Sequence, residues 1–177
     1  MIYVGLGANL PHTDFGLPEA TLTAALERFP GFGLRVGARS PWYRSAPVPP
    51  SGQPWFVNGV VAVETGLGPA PMLGALHRIE AEFGRVRRER WAPRIIDLDL
   101  LAFHETVLSG GAPGEPQVPH PRLHERAFVL LPLADIAPAW RHPGLHRGIR
   151  GLIADLPPGQ EIERIAAPAP ALVGDRP

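Results

Sequence analysis

Apolar and polar positions in the first half of the chain recur with the periods of strands and helices. Residues 2–8 alternate loosely and end in a glycine-rich turn, which predicts a strand. Apolar residues at three- and four-residue spacing over 18–29 predict a helix that stops at a Pro-Gly pair. A half-buried strand is predicted over 34–38 and a further strand over 56–65. The proline-rich stretch 41–55 between them has the length of a functional or disordered loop.

The second half of the chain continues with a helix, a strand and shorter elements. Helical spacing predicts a helix over 72–83, and the apolar run 95–103 predicts a strand in a central position of its sheet. Residues 105–108 are expected to pair back with that strand, and helical segments are predicted over 123–133 and near 149–156. The order β-α-β-β-α-β matches the split βαβ arrangement. The sequence therefore predicts an α+β, ferredoxin-like fold, with helices packed around an antiparallel sheet.

Composition limits the class of protein. The chain has 177 residues, 45% of them hydrophobic, and no net charge, which is typical of one globular domain. We expect residues 1–165 to form a single domain and the proline- and alanine-rich residues 166–177 to form a loose tail. No signal peptide and no apolar run of membrane-spanning length is visible, so a cytoplasmic protein without membrane contact is expected.

Two residue types are missing from the sequence. Without cysteine, neither a disulfide framework nor a zinc–thiolate site can form. All 17 basic residues are arginine, so the lysine-dependent phosphate loop and Schiff-base chemistry are excluded. A genome that favours arginine codons is the simplest explanation of this bias.

Asp97 and Asp99 interrupt the apolar strand 95–103. Side chains at i and i+2 of a strand point to one face, about 6.6–7 Å apart along the backbone, so the two carboxylates project together. Carboxylate oxygens suit hard cations such as Mg²⁺, and water and substrate phosphates complete the coordination. The simpler alternative is an edge strand with a charged outer face. Spacing alone therefore indicates either a metal site for phosphoryl chemistry or a solvated strand edge.

An arginine-rich segment precedes this strand. Such a run is most often a solvated face, but beside two carboxylates it can hold polyphosphate oxygens with guanidinium forks. Trp91 in the same segment suits a ring that closes over a bound molecule or stacks on a guanidinium. The arginines are Arg85, Arg87, Arg88, Arg90 and Arg94.

Other polar residues stand where apolar ones are expected. Glu80 lies on the apolar stripe of the predicted helix 72–83, and a buried carboxylate there needs a partner such as a nearby arginine. Phe56 and Asn58 share one face of a strand, which suits a flat heterocycle with donors and acceptors on its edge. A core phenylalanine and an asparagine that ends the strand ladder are the simpler alternative for that pair.

These motifs together resemble one known family. RWAPRIIDLDLL, the early GLGAN, the middle YRSAPV and QPWFVN, and the later PHPRLHERAFVLLPL closely resemble the hydroxymethyl-dihydropterin pyrophosphokinase family of folate biosynthesis. The similarity runs in order from about residue 2 to residue 156. It implies transfer of pyrophosphate from ATP to the 6-hydroxymethyl group of a reduced pterin, with release of AMP.

The resemblance also implies residue roles. Asp97 and Asp99 would hold two Mg²⁺ ions that bridge the ATP phosphates, with Arg85, Arg94 and His120 as further catalytic groups. The residues implied to contact ATP are Arg85, Arg87, Trp91, Arg94, His120 and Arg126. The residues implied to form the pterin pocket are Ser45, Ala46, Val48, Phe56, Asn58 and Phe128. The segments 41–55 and 85–94 match the two mobile lids of the family. The resemblance does not single out a general base.

Two other functions stay open on the sequence alone. A Mg²⁺-dependent phosphohydrolase can use the same aspartate pair. A ferredoxin-like sheet with an arginine-rich segment can also bind RNA, but the zero net charge and the missing aromatic strand motif argue against nucleic acid. We expect a monomer whose only partners are the small molecules ATP and the reduced pterin.

Overall fold

The computed structural model describes residues 1–85, 94–111 and 114–166, which form an antiparallel sheet with helices on both faces. The strands are β1 (Ile2–Ala8), β2 (Arg35–Arg39), β3 (Tyr43–Ser45), β4 (Phe56–Glu64), β5 (Asp97–Phe103), β6 (Leu108–Ser109), β7 (Gln117–Val118), β8 (Arg141–His142), β9 (Arg147–Gly148) and β10 (Ile162–Arg164). The helices are α1 (Pro18–Arg28), α2 (Pro69–Glu82), α3 (Ala127–Ile136) and α4 (Ile149–Ala154), with short 3-10 turns at Phe29–Phe32 and Leu123–Glu125.

The main sheet has six strands among the described residues, in the order β10-β3-β4-β1-β5, with β2 pairing to β4 beyond the end of β3. Every neighbouring pair is antiparallel. The helices α1 and α2 connect strands as a split βαβ unit requires. The predicted α+β architecture is therefore confirmed.

Each face of the sheet carries its own apolar core. On one face, Val4 and Leu6 of β1 pack with α1 and α2. On the other face, Tyr3 of β1 packs with α3 and α4. Successive side chains of a strand alternate between the faces, so β1 contributes to both cores.

Glycines of β1 open the second face. Gly5 and Gly7 lie opposite Asp99 and Asp97 of β5. A Cβ atom on Gly5 would come within 3.3 Å of the Leu101 side chain, and one on Gly7 within 3.1 Å of the Asn58 side-chain oxygen. The missing side chains leave space over this part of the sheet, between β5 and β4.

Several predicted elements differ from the structure. Residues 105–108 do not pair back with β5, because β6 pairs with β7 instead. The strand predicted over 34–38 is β2, and Ala38 is exposed because the register with β4 shifts between Val36 and Arg39. The helix predicted over 123–133 is interrupted at Arg126, whose backbone is extended. The strands β3 and β10 were not predicted, since each is only three residues long.

The strand that carries the aspartates occupies the edge of the main sheet, not its centre. Leu98 and Leu100 are nevertheless buried, because α2 packs over the face that they share. The apolar flanks of the aspartates therefore reflect burial under a helix, and the expectation of a central strand was wrong. Within the described ranges, no helix has the length and apolar content that a membrane crossing requires.

Candidate active site

Asp97 and Asp99 lie on the sheet face that the glycines of β1 leave open. Their pairing with Gly7 and Gly5 places both carboxylates on the same face, as the i, i+2 spacing predicts. Leu98 between them is 2% exposed and points into the core on the opposite face. β5 is an edge strand, as the alternative of a solvated strand edge requires. Its charged face nevertheless borders a cavity that residues of α3 also line.

Asp97 is held by two arginines, one from each end of the arginine-rich segment. The Arg85 guanidinium donates from Nη1 to Asp97 Oδ1 at 2.5 Å, and Arg94 donates to Asp97 Oδ2. The Asp97 side chain is only 18% exposed, so its charge is compensated largely by these two cations. Arg94 and Asp97 also lie three residues apart in sequence, which keeps their contact local.

Asp99 has a looser environment. Its nearest described cation is Arg126, with 4.0 Å between Nη1 and Oδ2, and its side chain is 38% exposed. Burial, together with the negative charge of Asp97, raises the pKa of Asp99 to about 7, while Arg126 acts in the opposite direction. The two carboxylates therefore repel each other, and a cation between them would relieve that repulsion.

This donor set fits Mg²⁺. The described residues contain no group of three or more histidine, cysteine, aspartate or glutamate side chains that could hold a metal by themselves. Two carboxylates next to an open cavity leave coordination positions for water and phosphate oxygens, which Mg²⁺ prefers over a complete protein cage. The chemistry of the pair therefore suits a metal that arrives with a polyphosphate.

Glu80 is buried next to the aspartates and anchors them from α2. Its side chain is 2% exposed; Oε1 accepts the Leu98 backbone N–H at 2.7 Å and also accepts a hydrogen bond from Arg85. The prediction that an arginine partners Glu80 is confirmed. Leu98 belongs to an edge strand, so its outward N–H meets no further strand within the described ranges, and Glu80 accepts it instead.

His120 and Arg126 approach the aspartates from the segment that precedes α3. The His120 backbone N–H donates to the Leu101 carbonyl at 2.8 Å, and its Nδ1 accepts the Arg122 backbone N–H at 3.2 Å. Burial and the nearby Arg126 and Arg122 charges lower the pKa of His120 to about 4. The imidazole is therefore neutral at pH 7, with its proton on Nε2, which can donate to an anion.

Two adjoining cavities contain the predicted site. One has a volume of about 170 Å³, and the other, of about 430 Å³, adjoins it at the aspartates. The first is lined by all the predicted pterin residues: Ser45, Ala46, Val48, Phe56, Asn58 and Phe128. The second is lined by Arg85, Arg94, Asp97, Asp99, His120 and Arg126. Every predicted site residue that the structure describes therefore lines a cavity; Arg87 and Trp91 lie outside the described residues.

Asn58 is the third residue of β4. It pairs with Gly7 on one side and Tyr43 on the other, and its side-chain Nδ2 donates to Ser45 Oγ at 2.8 Å. The bond to Ser45 fixes the amide orientation at the cavity wall. Asn58 thus makes the last pair of the β3–β4 ladder, as the simpler alternative expected, and its amide also lines the cavity.

The chain is similar to known proteins over most of its length. The family model described as 7,8-dihydro-6-hydroxymethylpterin-pyrophosphokinase (HPPK) matches residues 3–138. The chain belongs to the HPPK family. The 2-amino-4-hydroxy-6-hydroxymethyldihydropteridine pyrophosphokinase of Pseudomonas aeruginosa is 46% identical over 165 residues, covering 93% of this chain and 96% of the relative. The protein of the same name from Methylorubrum extorquens is 42% identical over 164 residues, covering 92% and 97%.

Solved structures show the same fold at low identity. Wild-type HPPK-DHPS of Plasmodium falciparum superposes with a TM-score of 0.68 and 15% identity, over 86% of this chain and 42% of that one. The present chain thus spans less than half of that longer protein. At this identity the likeness supports the fold alone.

Asn9 had no role assigned from the sequence, and it contacts Gln53 and Arg94, which both line a cavity. It is 2% exposed, and its Oδ1 accepts the Arg94 backbone N–H at 2.8 Å. Its Nδ2 donates to Gln53 Oε1 at 3.1 Å and to the Pro54 carbonyl at 3.2 Å. One side chain therefore joins the end of the arginine-rich segment to the proline-rich loop. Its place in GLGAN, within the family motif, was the only sequence signal.

Proposed function

We propose that the two cavities are the ATP and pterin sites through which this chain performs the activity of its family. That activity is transfer of pyrophosphate from ATP to 6-hydroxymethyl-7,8-dihydropterin, which gives AMP and the pterin diphosphate in folate biosynthesis. One observation carries the residue assignment: Asp97 and Asp99 line both cavities, at the place where a phosphoryl group must pass between two substrates. We also propose residues 1–165 as one catalytic domain.

The larger cavity is proposed to hold the ATP phosphates. Arg85, Arg94 and Arg126 line it, and their guanidinium forks suit phosphate oxygens. Neutral His120 adds an Nε2–H donor without adding charge. Arg87 and Trp91 are proposed to contact ATP from the remainder of the same segment.

Asp97 and Asp99 are proposed to hold two Mg²⁺ ions. When bound, Mg²⁺ neutralises phosphate charge and orients the phosphoryl group for in-line attack. The two carboxylates would hold the positive charge of Mg²⁺ in a fixed position, because β5 pairs with β1 on one side and bonds to Glu80 on the other. The arginines that hold Asp97 also line the cavity, so both signs of charge are positioned before the substrates bind.

The smaller cavity is proposed to hold the pterin. Phe56 and Phe128 offer aromatic faces from β4 and α3, and Asn58 offers an amide at the cavity wall. The backbone around Ser45, Ala46 and Val48 completes the edge of the pocket. Two aromatic faces with one directed amide suit a flat ring that has donors and acceptors on its rim.

A product assay tests this function. The purified protein, ATP, Mg²⁺ and 6-hydroxymethyl-7,8-dihydropterin are expected to yield AMP and the pterin diphosphate in equal amounts. Release of ADP, or ATP breakdown that does not depend on pterin, would contradict the proposal and favour a phosphohydrolase. Omission of the pterin is the matched control.

Phe128→Ala is expected to raise the KM for the pterin about 10-fold or more, because roughly 1.5–3 kcal/mol accompanies burial of an aromatic side chain. The KM for ATP should change much less, since Phe128 lines only the smaller cavity. Steady-state kinetics with each substrate varied separately measures both values. Phe32→Ala, another partly buried ring outside both cavities, is the control. A fall in thermal stability with unchanged pterin KM would mean that Phe128 is only a packing residue.

We further propose that the enzyme works as a monomer in the cytoplasm and does not bind nucleic acid. Sedimentation equilibrium at the concentrations of the assay measures the oligomeric state. Filter binding of RNA across a salt titration tests for nucleic-acid binding, which falls steeply as salt increases.

A further inference from the structure

Arg122 lines both cavities, and the proposed function assigns it no role. It lies two residues after His120 and directly before the turn Leu123–Glu125. Its backbone N–H donates to His120 Nδ1 at 3.2 Å, so its position is tied to that of a residue at the phosphate cavity. The Arg122 backbone is therefore fixed at the boundary between the two cavities, which its residue lines.

Positive charge is crowded at this boundary. Burial lowers the pKa of Arg126, and the positive charges of Arg122 and Arg94 lower it further against the opposing effect of Asp99. Burial and the charges of Arg126 and Arg122 likewise lower the pKa of His120. Cations held this close together repel each other, and an anion bound among them would remove the repulsion.

The ion pair that Arg122 makes with Glu125 is weak. The distance from Arg122 Nε to Glu125 Oε2 is 3.5 Å, and the two side chains are 42% and 47% exposed. Solvent screens such a pair, so that it stabilises the protein little. A phosphate can take the place of the Glu125 carboxylate at Arg122, since both present paired oxygens to a guanidinium.

We propose that Arg122 is a further catalytic residue, whose guanidinium contacts the transferred pyrophosphoryl group both in the ATP cavity and, after transfer, on the pterin. In the transfer, the hydroxymethyl oxygen forms a bond to the β-phosphorus, and the bond from that phosphorus to the oxygen bridging to the α-phosphorus breaks. AMP leaves with that oxygen and its electron pair, and the hydroxyl proton is released to water. Arg122 would stay with the moving group while the other arginines hold its starting position. This inference rests on the proposed function.

The test compares Arg122→Ala with Arg122→Lys and Arg150→Ala. Arg150 is an exposed arginine of α4 outside both cavities and serves as the matched control. Arg122→Ala is expected to lower kcat about 10- to 100-fold, the effect of losing one charge-assisted hydrogen bond to a phosphate. Arg122→Lys should recover part of the rate, and Arg150→Ala should behave as the wild type.

A binding measurement separates this role from a structural one. Arg122→Ala should weaken binding of the pterin diphosphate about 10-fold or more relative to the pterin alcohol, measured by calorimetry without turnover. Wild-type kinetics in Arg122→Ala, or an equal loss of affinity for both ligands, would overturn the proposal. Wild-type protein that forms no AMP and pterin diphosphate would instead overturn the proposed function. Thermal unfolding of each variant identifies any that fail to fold.

Discussion

Asp97→Ala and Asp99→Ala are each expected to reduce turnover by roughly 1000-fold or more, because both carboxylates are proposed to hold the cations of the phosphoryl group. Neither change should unfold the protein. Asp99 is 38% exposed and repelled by Asp97, so its removal takes away little favourable energy. Asp97→Ala frees two arginines from their carboxylate, but the Glu80 contact with Arg85 remains. AMP formation and thermal unfolding measure the two properties.

Asp155→Ala provides the matched control for both changes. Asp155 pairs with Arg147 on the surface, and its side chain is 57% exposed. That variant should keep full activity and nearly full stability, as expected for a screened surface pair. If Asp97→Ala or Asp99→Ala instead retained most of the activity and lost thermal stability, the aspartates would be a structural charge cluster and not a metal site.

Local geometry explains why the aspartate pair could be predicted from sequence. Side chains at i and i+2 of a strand share a face whatever the strand pairs with, so Asp97 and Asp99 were placed together correctly. Their position in the sheet could not be predicted in the same way. Apolar flanks indicate burial, but burial under α2 and burial between two strands produce the same pattern. The edge position of β5 became visible only in the pairing of the whole sheet.

Contacts between distant loops were beyond the reach of sequence periodicity. Asn9 joins residues forty positions apart, Pro54 and Arg94, through its own side chain. Neither loop has a repeating apolar pattern, so nothing local predicts that they meet. The short strands β3 and β10 were missed for a related reason, since β10 pairs with β3 from far along the chain.

The predicted helix 123–133 is interrupted at Arg126, a residue that lines both cavities. Apolar spacing continues across 123–133, yet Arg126 adopts an extended backbone with φ of −114° and ψ of 113° between a 3-10 turn and α3. This break orients Arg126 toward Asp99 and over the Phe128 ring, 5.4 Å from its centroid. In a continuous helix, the regular rotation of the backbone would set the direction of the Arg126 side chain instead. The family resemblance indicated the residue, and the structure supplies the geometry.

Glu80→Ala is expected to have the second largest effect, and unlike the aspartate changes it should lower both activity and stability. The change leaves the Leu98 N–H without its acceptor at the edge of β5 and removes one carboxylate from Arg85. An unpaired buried donor costs about 1–3 kcal/mol, and breaking a buried ion pair costs about 3–5 kcal/mol. For a domain of this size, each 1 kcal/mol lowers Tm by roughly 2–4 °C, so a loss on the order of 10 °C is expected. Turnover should fall by about 100-fold because Asp97, Leu98 and Asp99 lose their fixed position.

Glu80→Gln separates the two contributions of Glu80. Glutamine retains a carbonyl oxygen that can accept the Leu98 N–H, but it has no charge to offer Arg85. Its Tm is therefore expected to lie between those of the wild type and Glu80→Ala, with turnover still reduced. Glu82→Ala, an exposed glutamate on the same helix, is the control and should match the wild type in both measurements. Full activity in Glu80→Ala at a temperature where it is folded would show that Glu80 stabilises β5 without positioning the aspartates.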